Sequence, residues 1–240
     1  DNMINAVIAI EDKRFMTHSG VDWRRTAGAG LTFFTGSGDG YGGSSITQQL
    51  IKNLTGERDV TYIRKFREIQ NALNLEKHYS KETILEAYLN TLYLGGGCYG
   101  VKTASEKYFG KDVSELNAAE CAAIASITQK PTKNNPLLHP ENNRERMLYC
   151  LKQMNRNGAL TDAEYKEACE YELIFTNSEK YVPTEESVVV VEEKINSFYV
   201  DYVRQCVQQD LMEQYGYSKQ QAQDKILYGG LKIYAAVDLE

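Results

Sequence analysis

The sequence predicts a mainly α-helical protein. Three observations carry that expectation: apolar residues recur at helical spacing in one segment after another, several of those segments open on Ser, Thr or Asn with Gln or Glu three residues on, and glycine or proline closes them. Only 188–191 and 231–238 read as extended, which makes the rear of the chain a partial α/β region. At 240 residues, 42% hydrophobic and 25% charged, the chain can bury one large core, or a core plus an appendage.

Composition excludes several classes. The five cysteines are scattered without a CxxC pair and the three histidines show no HExxH grouping, which argues against a structural zinc site. No run approaches the roughly 18 apolar residues of a membrane span, and the opening residues read as an amphipathic segment, not as a signal peptide. Residues 1–158 hold 20 Lys and Arg against 17 Asp and Glu (+3), and residues 159–240 hold 7 against 16 (−9). That asymmetry suggests two modules, and nucleic acid is not favoured because no stretch is densely basic.

In chain order, residues 4–18 come first. If they are helical throughout, Glu11, Phe15 and His18 share a face, and an acid and an imidazole flank an aromatic. A carboxyl held there in a partly dry pocket has the setting of a general base; the plainer alternative is a solvated helix face. Residues 26–40, rich in glycine yet carrying Leu31, Phe33 and Phe34, read as a loop with an apolar tip, suited to a lipid surface or folded into the core. Ser45 and Gln48 resemble a capping box opening a helix with Ile46, Leu50 and Leu54 as its buried seam and Lys52 on another face. Such a start beside a lysine either holds a phosphate or is simply a capped surface helix.

Residues 61–78 predict a helix with Ile63, Phe66, Ile69 and Leu73 inward and Arg64, Lys65, Arg67 and Glu68 on its polar side. Three cations around one carboxylate are either a diphosphate grip or ordinary surface pairs. Ser80 caps a helix with a stripe of Ile84, Leu85, Tyr88, Leu89 and Leu92. A shorter helix follows from Gly100, with Val101, Ala104, Tyr108 and Phe109 inward. Asn117 and Glu120 cap an alanine-rich segment whose small surface belongs in the middle of a bundle. Helices over about 141–157, from 161, over 196–215 and over 218–226 complete the reading, with 176–187 as a linker.

Five ordered blocks then come together. They are Glu11-Asp12-x-x-Phe15-x-x-His18-x-Gly20; Gly43-Ser44-Ser45-Ile46-Thr47-Gln48-Gln49 with Lys52-Asn53; Arg64-Lys65-x-x-Glu68; Ile84-Leu85-Glu86-x-Tyr88-Leu89-Asn90; and Gly100 through Tyr108-Phe109-Gly110-Lys111. With Pro131, Asn135-Pro136 and Arg146 they closely resemble the glycosyltransferase domain of class A penicillin-binding proteins, the family 51 peptidoglycan polymerases, over about residues 5–154. The resemblance implies a lysozyme-like helical lobe with a small membrane-proximal jaw near 26–41, together spanning 1–158. Residues 159–240 are then the linker and the start of a truncated transpeptidase module.

By the same resemblance, Glu11 is the general base and Glu68 the second catalytic acid. Asp12, Phe15, His18, Ser44, Gln48, Gln49, Lys52, Asn53, Arg64, Lys65 and Arg146 would bind substrate or its pyrophosphate. A divalent cation, Mg2+ or Mn2+, with Glu68 as a candidate ligand, is left open, and no organic cofactor is expected. Implied partners are lipid II, the growing lipid-linked glycan, the membrane surface at its extracytoplasmic face and other cell-wall synthesis proteins. Moenomycin is the implied inhibitor. Ser45, Gly96, Thr103 and Ser105 depart from the usual family residues, and none of them removes a charged group. A lysozyme-like glycan hydrolase and a non-catalytic lipid-binding scaffold are the competing readings.

Overall fold

The computed structural model describes residues 1–28, 43–56, 61–183 and 198–228. The expected extended stretches at 188–191 and 231–238, and most of the glycine-rich jaw loop, lie outside those residues. The described chain is mainly α, with a single isolated bridge between Tyr93 and Tyr99. It divides into compact units at 1–187 and 188–240.

In the first unit α1 (Asn2–Glu11) buries Met3, Ala6, Val7 and Ile10, and packs against α6 (Ala118–Ala125) and α7 (Pro140–Arg156). Helix α6 is buried along its whole alanine-rich surface, and side chains that small let its neighbours approach closely. Between these elements, α2 (Ile46–Thr55) packs against α3 (Tyr62–His78) and α4 (Lys81–Thr91). Helix α5 (Val101–Phe109) follows a turn at Gly95, Gly96 and Gly97 and buries Val101, Ala104, Tyr108 and Phe109, as its spacing predicts. Helix α8 (Asp162–Glu170) packs on α7. Leu160 and Ala168 join the core, Phe175 packs against it, and Thr176 donates its backbone N–H to Tyr108. That packing is why the compact unit continues past 158 to Ser187. In the second unit α9 (Phe198–Tyr215) and α10 (Lys219–Tyr228) pack against each other, with Ala222 buried.

The capping boxes at Ser45, Asn117 and Thr161 form with both reciprocal hydrogen bonds. Three expectations are corrected. Helix α1 stops at Glu11 rather than running to His18, because Asp12 leaves helical geometry (φ −160°, ψ 75°) and turns its carboxylate to the backbone N–H of Ile46. Leu54 is 61% exposed, and the buried face of α2 is instead Ile46, Thr47, Gln48 and Leu50. On α3 the expected faces hold only in part: Ile69 and Leu73 are half-buried and Arg67 is exposed, but Ile63 and Phe66 are 67% and 60% exposed, and the buried residues are Glu68 and Ala72.

Candidate active site

Two buried carboxylates meet consecutive residues of α2. Glu11, the last residue of α1, accepts from Gln49 Nε2 at 2.9 Å on one oxygen and from the Thr128 hydroxyl on the other. Glu68, in the middle of α3, accepts from Gln48 Nε2 at 3.1 Å. The capping box fixes this arrangement: Gln48 Oε1 accepts from the Ser45 backbone N–H at 3.0 Å, so its amide nitrogen is left to face Glu68. Gln49, one residue on, reaches the opposite carboxylate. The first turn of one helix therefore joins the two acids.

Their charge environments differ. Glu68 also accepts from Arg64 NH1 at 2.6 Å and from Lys65 Nζ, one helical turn away on α3. Lys65 Nζ in turn donates to the Ser44 hydroxyl at 2.9 Å, tying the segment before α2 to α3. At Glu11 the side-chain donors are an amide and a hydroxyl, both uncharged. Arg25 lies close but donates to the Glu11 backbone carbonyl.

Asp12 and His18 form a separate pair, Nε2 to Oδ2 at 2.8 Å, so the imidazole serves Asp12 rather than Glu11. The same Asp12 oxygen accepts from the Ile46 N–H at 3.0 Å at the positive end of α2. Phe15 is fully buried, edge-on to His18 at 6.0 Å between centroids, with Lys81 Nζ 4.3 Å from its ring centre. Lys81 is held by Glu76 at 2.7 Å, and Glu76 accepts from Thr47 at 2.5 Å. Aspartate, histidine and phenylalanine thus secure the turn after α1 and, with it, the position of Glu11.

Lys52 and Asn53 are exposed, about one turn beyond Gln48 and Gln49 on α2. Arg146 stands on α7 with its guanidinium over the ring of Tyr149, at 5.9 Å. Among the described residues no group of three His, Cys, Asp or Glu side chains is placed to hold a metal ion. Both Glu68 oxygens already accept from cations, so this donor set does not fit a resident divalent ion unless Arg64 or Lys65 is displaced.

Sequence reasoning missed Thr128 and gave Tyr88 a packing role only. Tyr88 is fully buried and donates to Gln49 Oε1 at 3.0 Å. Burial, reinforced by the negative charges of Glu11 and Asp12, pushes its phenol well above the ordinary tyrosine range. A signal existed for Thr128, since it is the first polar residue past 118–127 that is not needed to cap a helix; nothing local pointed it at Glu11.

The helical domain thus sets one carboxylate held by neutral donors and another flanked by cations on either side of the first turn of α2. A family model described as Transglycosylase matches residues 1–155, and the chain belongs to that family. It is 38% identical to penicillin-binding protein 1A of Clostridium perfringens strain 13, over 99% of this chain and 36% of that protein. It is 39% identical to a putative transglycosylase of Cupriavidus necator, over 68% of this chain and 70% of that one. A crystal structure of penicillin-binding protein 1A from Haemophilus influenzae aligns with a TM-score of 0.40 at 25% identity, covering 72% of this chain and 21% of that one. The chain spans about a third of the length of the penicillin-binding proteins 1A it matches.

Proposed function

We propose that this domain polymerises peptidoglycan glycan strands, transferring a lipid-linked glycan chain to the 4-hydroxyl of lipid II. Glu11 takes the hydroxyl proton, and the freed oxygen attacks the anomeric carbon with inversion. The bond from that carbon to the diphosphate breaks, and undecaprenyl pyrophosphate leaves. A sugar hydroxyl is a poor nucleophile until a base removes its proton, and the departing diphosphate needs positive charge. Lys52, Arg64 and Lys65 supply that charge, Glu68 holds the last two in place, and no step is routed through a metal.

The observation that carries this reading is the pair Gln48 and Gln49, which sets a neutral-clamped glutamate beside a cation-flanked one on a single helical turn. A second observation supports work at a lipid surface: Leu54, Tyr62, Ile63 and Phe66 are all at least 60% exposed at the facing ends of α2 and α3. Among the described residues no helix is long and apolar enough to cross a membrane, so this edge would dip into the extracytoplasmic surface without spanning it.

The deciding experiment incubates the protein with fluorescent lipid II, with and without moenomycin. Glycan ladders that moenomycin abolishes are expected. Intact lipid II together with cleavage of preformed glycan would overturn the reading in favour of a hydrolase, which activates water instead of a sugar hydroxyl. Binding of lipid II without turnover would overturn it in favour of a scaffold.

A further inference from the structure

Each oxygen of the Glu11 carboxylate accepts from a side chain that is itself held by its surroundings. The turn that follows α6 is fixed from several sides: Asn134 Nδ2 donates to the Ser126 carbonyl at 2.9 Å, and Asn143 Nδ2 donates to the Ala123 and Asn134 carbonyls at 3.0 Å each. Asn134 and Asn143 are buried, so the Thr128 hydroxyl is delivered to Glu11 from a rigid mount. On the other oxygen, the orientation of Gln49 follows from chemistry. An ionised carboxylate only accepts, so Gln49 must present its NH2 to Glu11, and its carbonyl is left for a donor. Tyr88 is that donor, and its buried phenol has no competing exposure to water.

We infer that Thr128 and Tyr88 are positioning residues for Glu11, the first directly and the second through Gln49. Together they hold one hydrogen bond on each carboxylate oxygen and leave the remaining lone pairs for the acceptor hydroxyl. The inference rests on the reading of Glu11 as the base. Each donor lost frees one carboxylate oxygen to turn away from the acceptor hydroxyl.

Apart from the Tyr88 phenol, which Tyr88→Phe removes, the ionisable groups near Glu11 are the same in every variant considered. Asp12 adjoins it, Arg25 holds its carbonyl, and Lys52 lies exposed farther along α2. Helix α7 contributes Cys150 and Arg146, and burial pushes the Cys150 thiol up. On α6, Cys121, which burial pushes up to about 12, lies toward the start of α1, and Glu120 is paired with Lys111.

The test has two readouts. Steady-state lipid II polymerisation gives kcat and KM, and the carboxyl 13C shift of Glu11 at one fixed pH, assigned by its loss in Glu11→Gln, reports its hydrogen bonds, in the wild type, Thr128→Val, Thr128→Ser and Tyr88→Phe. In Thr128→Val the Glu11 signal moves and kcat falls about tenfold, the size expected for one lost charge-assisted hydrogen bond, while KM is unchanged. Thr128→Ser restores both, and Tyr88→Phe changes them the same way by less, because Gln49 remains but is no longer pinned. If Thr128→Val does not fold, Thr128→Ala replaces it in the same measurements. A Glu11 signal and kcat in Thr128→Val or Thr128→Ala identical to wild type, or no restoration by serine, overturns the inference. If the signal moves while no variant, nor the wild type, makes glycan, the polymerase reading fails and the positioning role stands.

Discussion

Glu11 and Glu68 are the same residue type, both almost wholly buried, and each accepts from one of two adjacent glutamines. The partners beyond the glutamines divide their roles. Thr128 completes the shell of Glu11 with a neutral hydroxyl, and a carboxylate with about four acceptor positions and two donors still has room for a substrate proton. Arg64, Lys65 and Gln48 occupy Glu68, so its charge is spent on holding cations. A carboxylate so enclosed is a poor base and a good anchor. On the proposed assignment, burial would not by itself mark the base; the charge of the hydrogen-bond partners would.

The sharpest way to break this contrast is to neutralise each acid separately. Glu11→Gln is expected to lower kcat for lipid II polymerisation by about 10²–10⁴, the usual contribution of a general base, with a nearly unchanged melting temperature. A rate within a fewfold of wild type would remove Glu11 from that role. Glu68→Gln leaves Arg64 and Lys65 facing each other without their counter-charge. An expected loss of roughly 10- to 100-fold in kcat/KM should come with a fall of about 1–2 kcal/mol in stability, the buried-pair cost discounted because both cations are partly exposed. Steady-state kinetics and thermal melts on the two variants separate a chemical defect from a structural one.

A third variant tests what holds the two sides in register. Gly20 has φ +89°, and a Cβ there would lie 2.6 Å from the carbonyl oxygen of Ala72, one turn beyond Glu68 on α3. The Gly20 carbonyl also accepts from the Ser45 hydroxyl at 2.5 Å, at the start of α2. Gly20→Ala is therefore expected to cost about 2–3 kcal/mol and to reduce polymerisation, since the turn after α1 must back away from α3. A melt indistinguishable from wild type would show that this close approach is dispensable.

Much of this was legible in the chain. Capping boxes are local, so Ser45 with Gln48, Asn117 with Glu120 and Thr161 with Glu164 read correctly from spacing alone. The family's charged residues were also visible as motifs. The faces of α3 were not, because amphipathic logic assigns apolar residues inward, whereas this helix turns its carboxylate inward and leaves Ile63 and Phe66 outside. The end of α1 was hidden for a related reason: what stops it is a long-range contact from Asp12 to Ile46. Thr128 contacts Glu11 across 117 positions, and no periodicity reports a pairing of that range.

The smallest expected effect separates losing the base from losing the fold as pH falls. Asp22 lies on the turn after α1, where Arg14 donates to both its oxygens at 2.9 and 2.8 Å and the Arg25 backbone N–H donates at 3.1 Å. Burial is the largest single influence and works against ionising Asp22, but the Arg14 hydrogen bonds, the Arg25 backbone N–H and the charges of Arg14 and His18 together outweigh it, and its pKa lies below the ordinary 3.8. A carboxylate with a lowered folded pKa adds stability that is complete above the unfolded value and is lost as pH falls through the folded one. Asp22→Asn should therefore lower stability by about 1 kcal/mol at neutral pH, or roughly 2–4 °C, with Arg14 partly exposed. That difference should disappear in strongly acidic buffer. Because Asp22 meets Glu11 only through Arg25 and the backbone, the acid limb of the polymerisation rate should stay where it is in wild type. Melting curves and rate profiles measured on the same Asp22→Asn sample test both statements. A limb that moved together with the melting temperature would mean that acid inactivates this domain by loosening the turn after α1, and not by protonating its base.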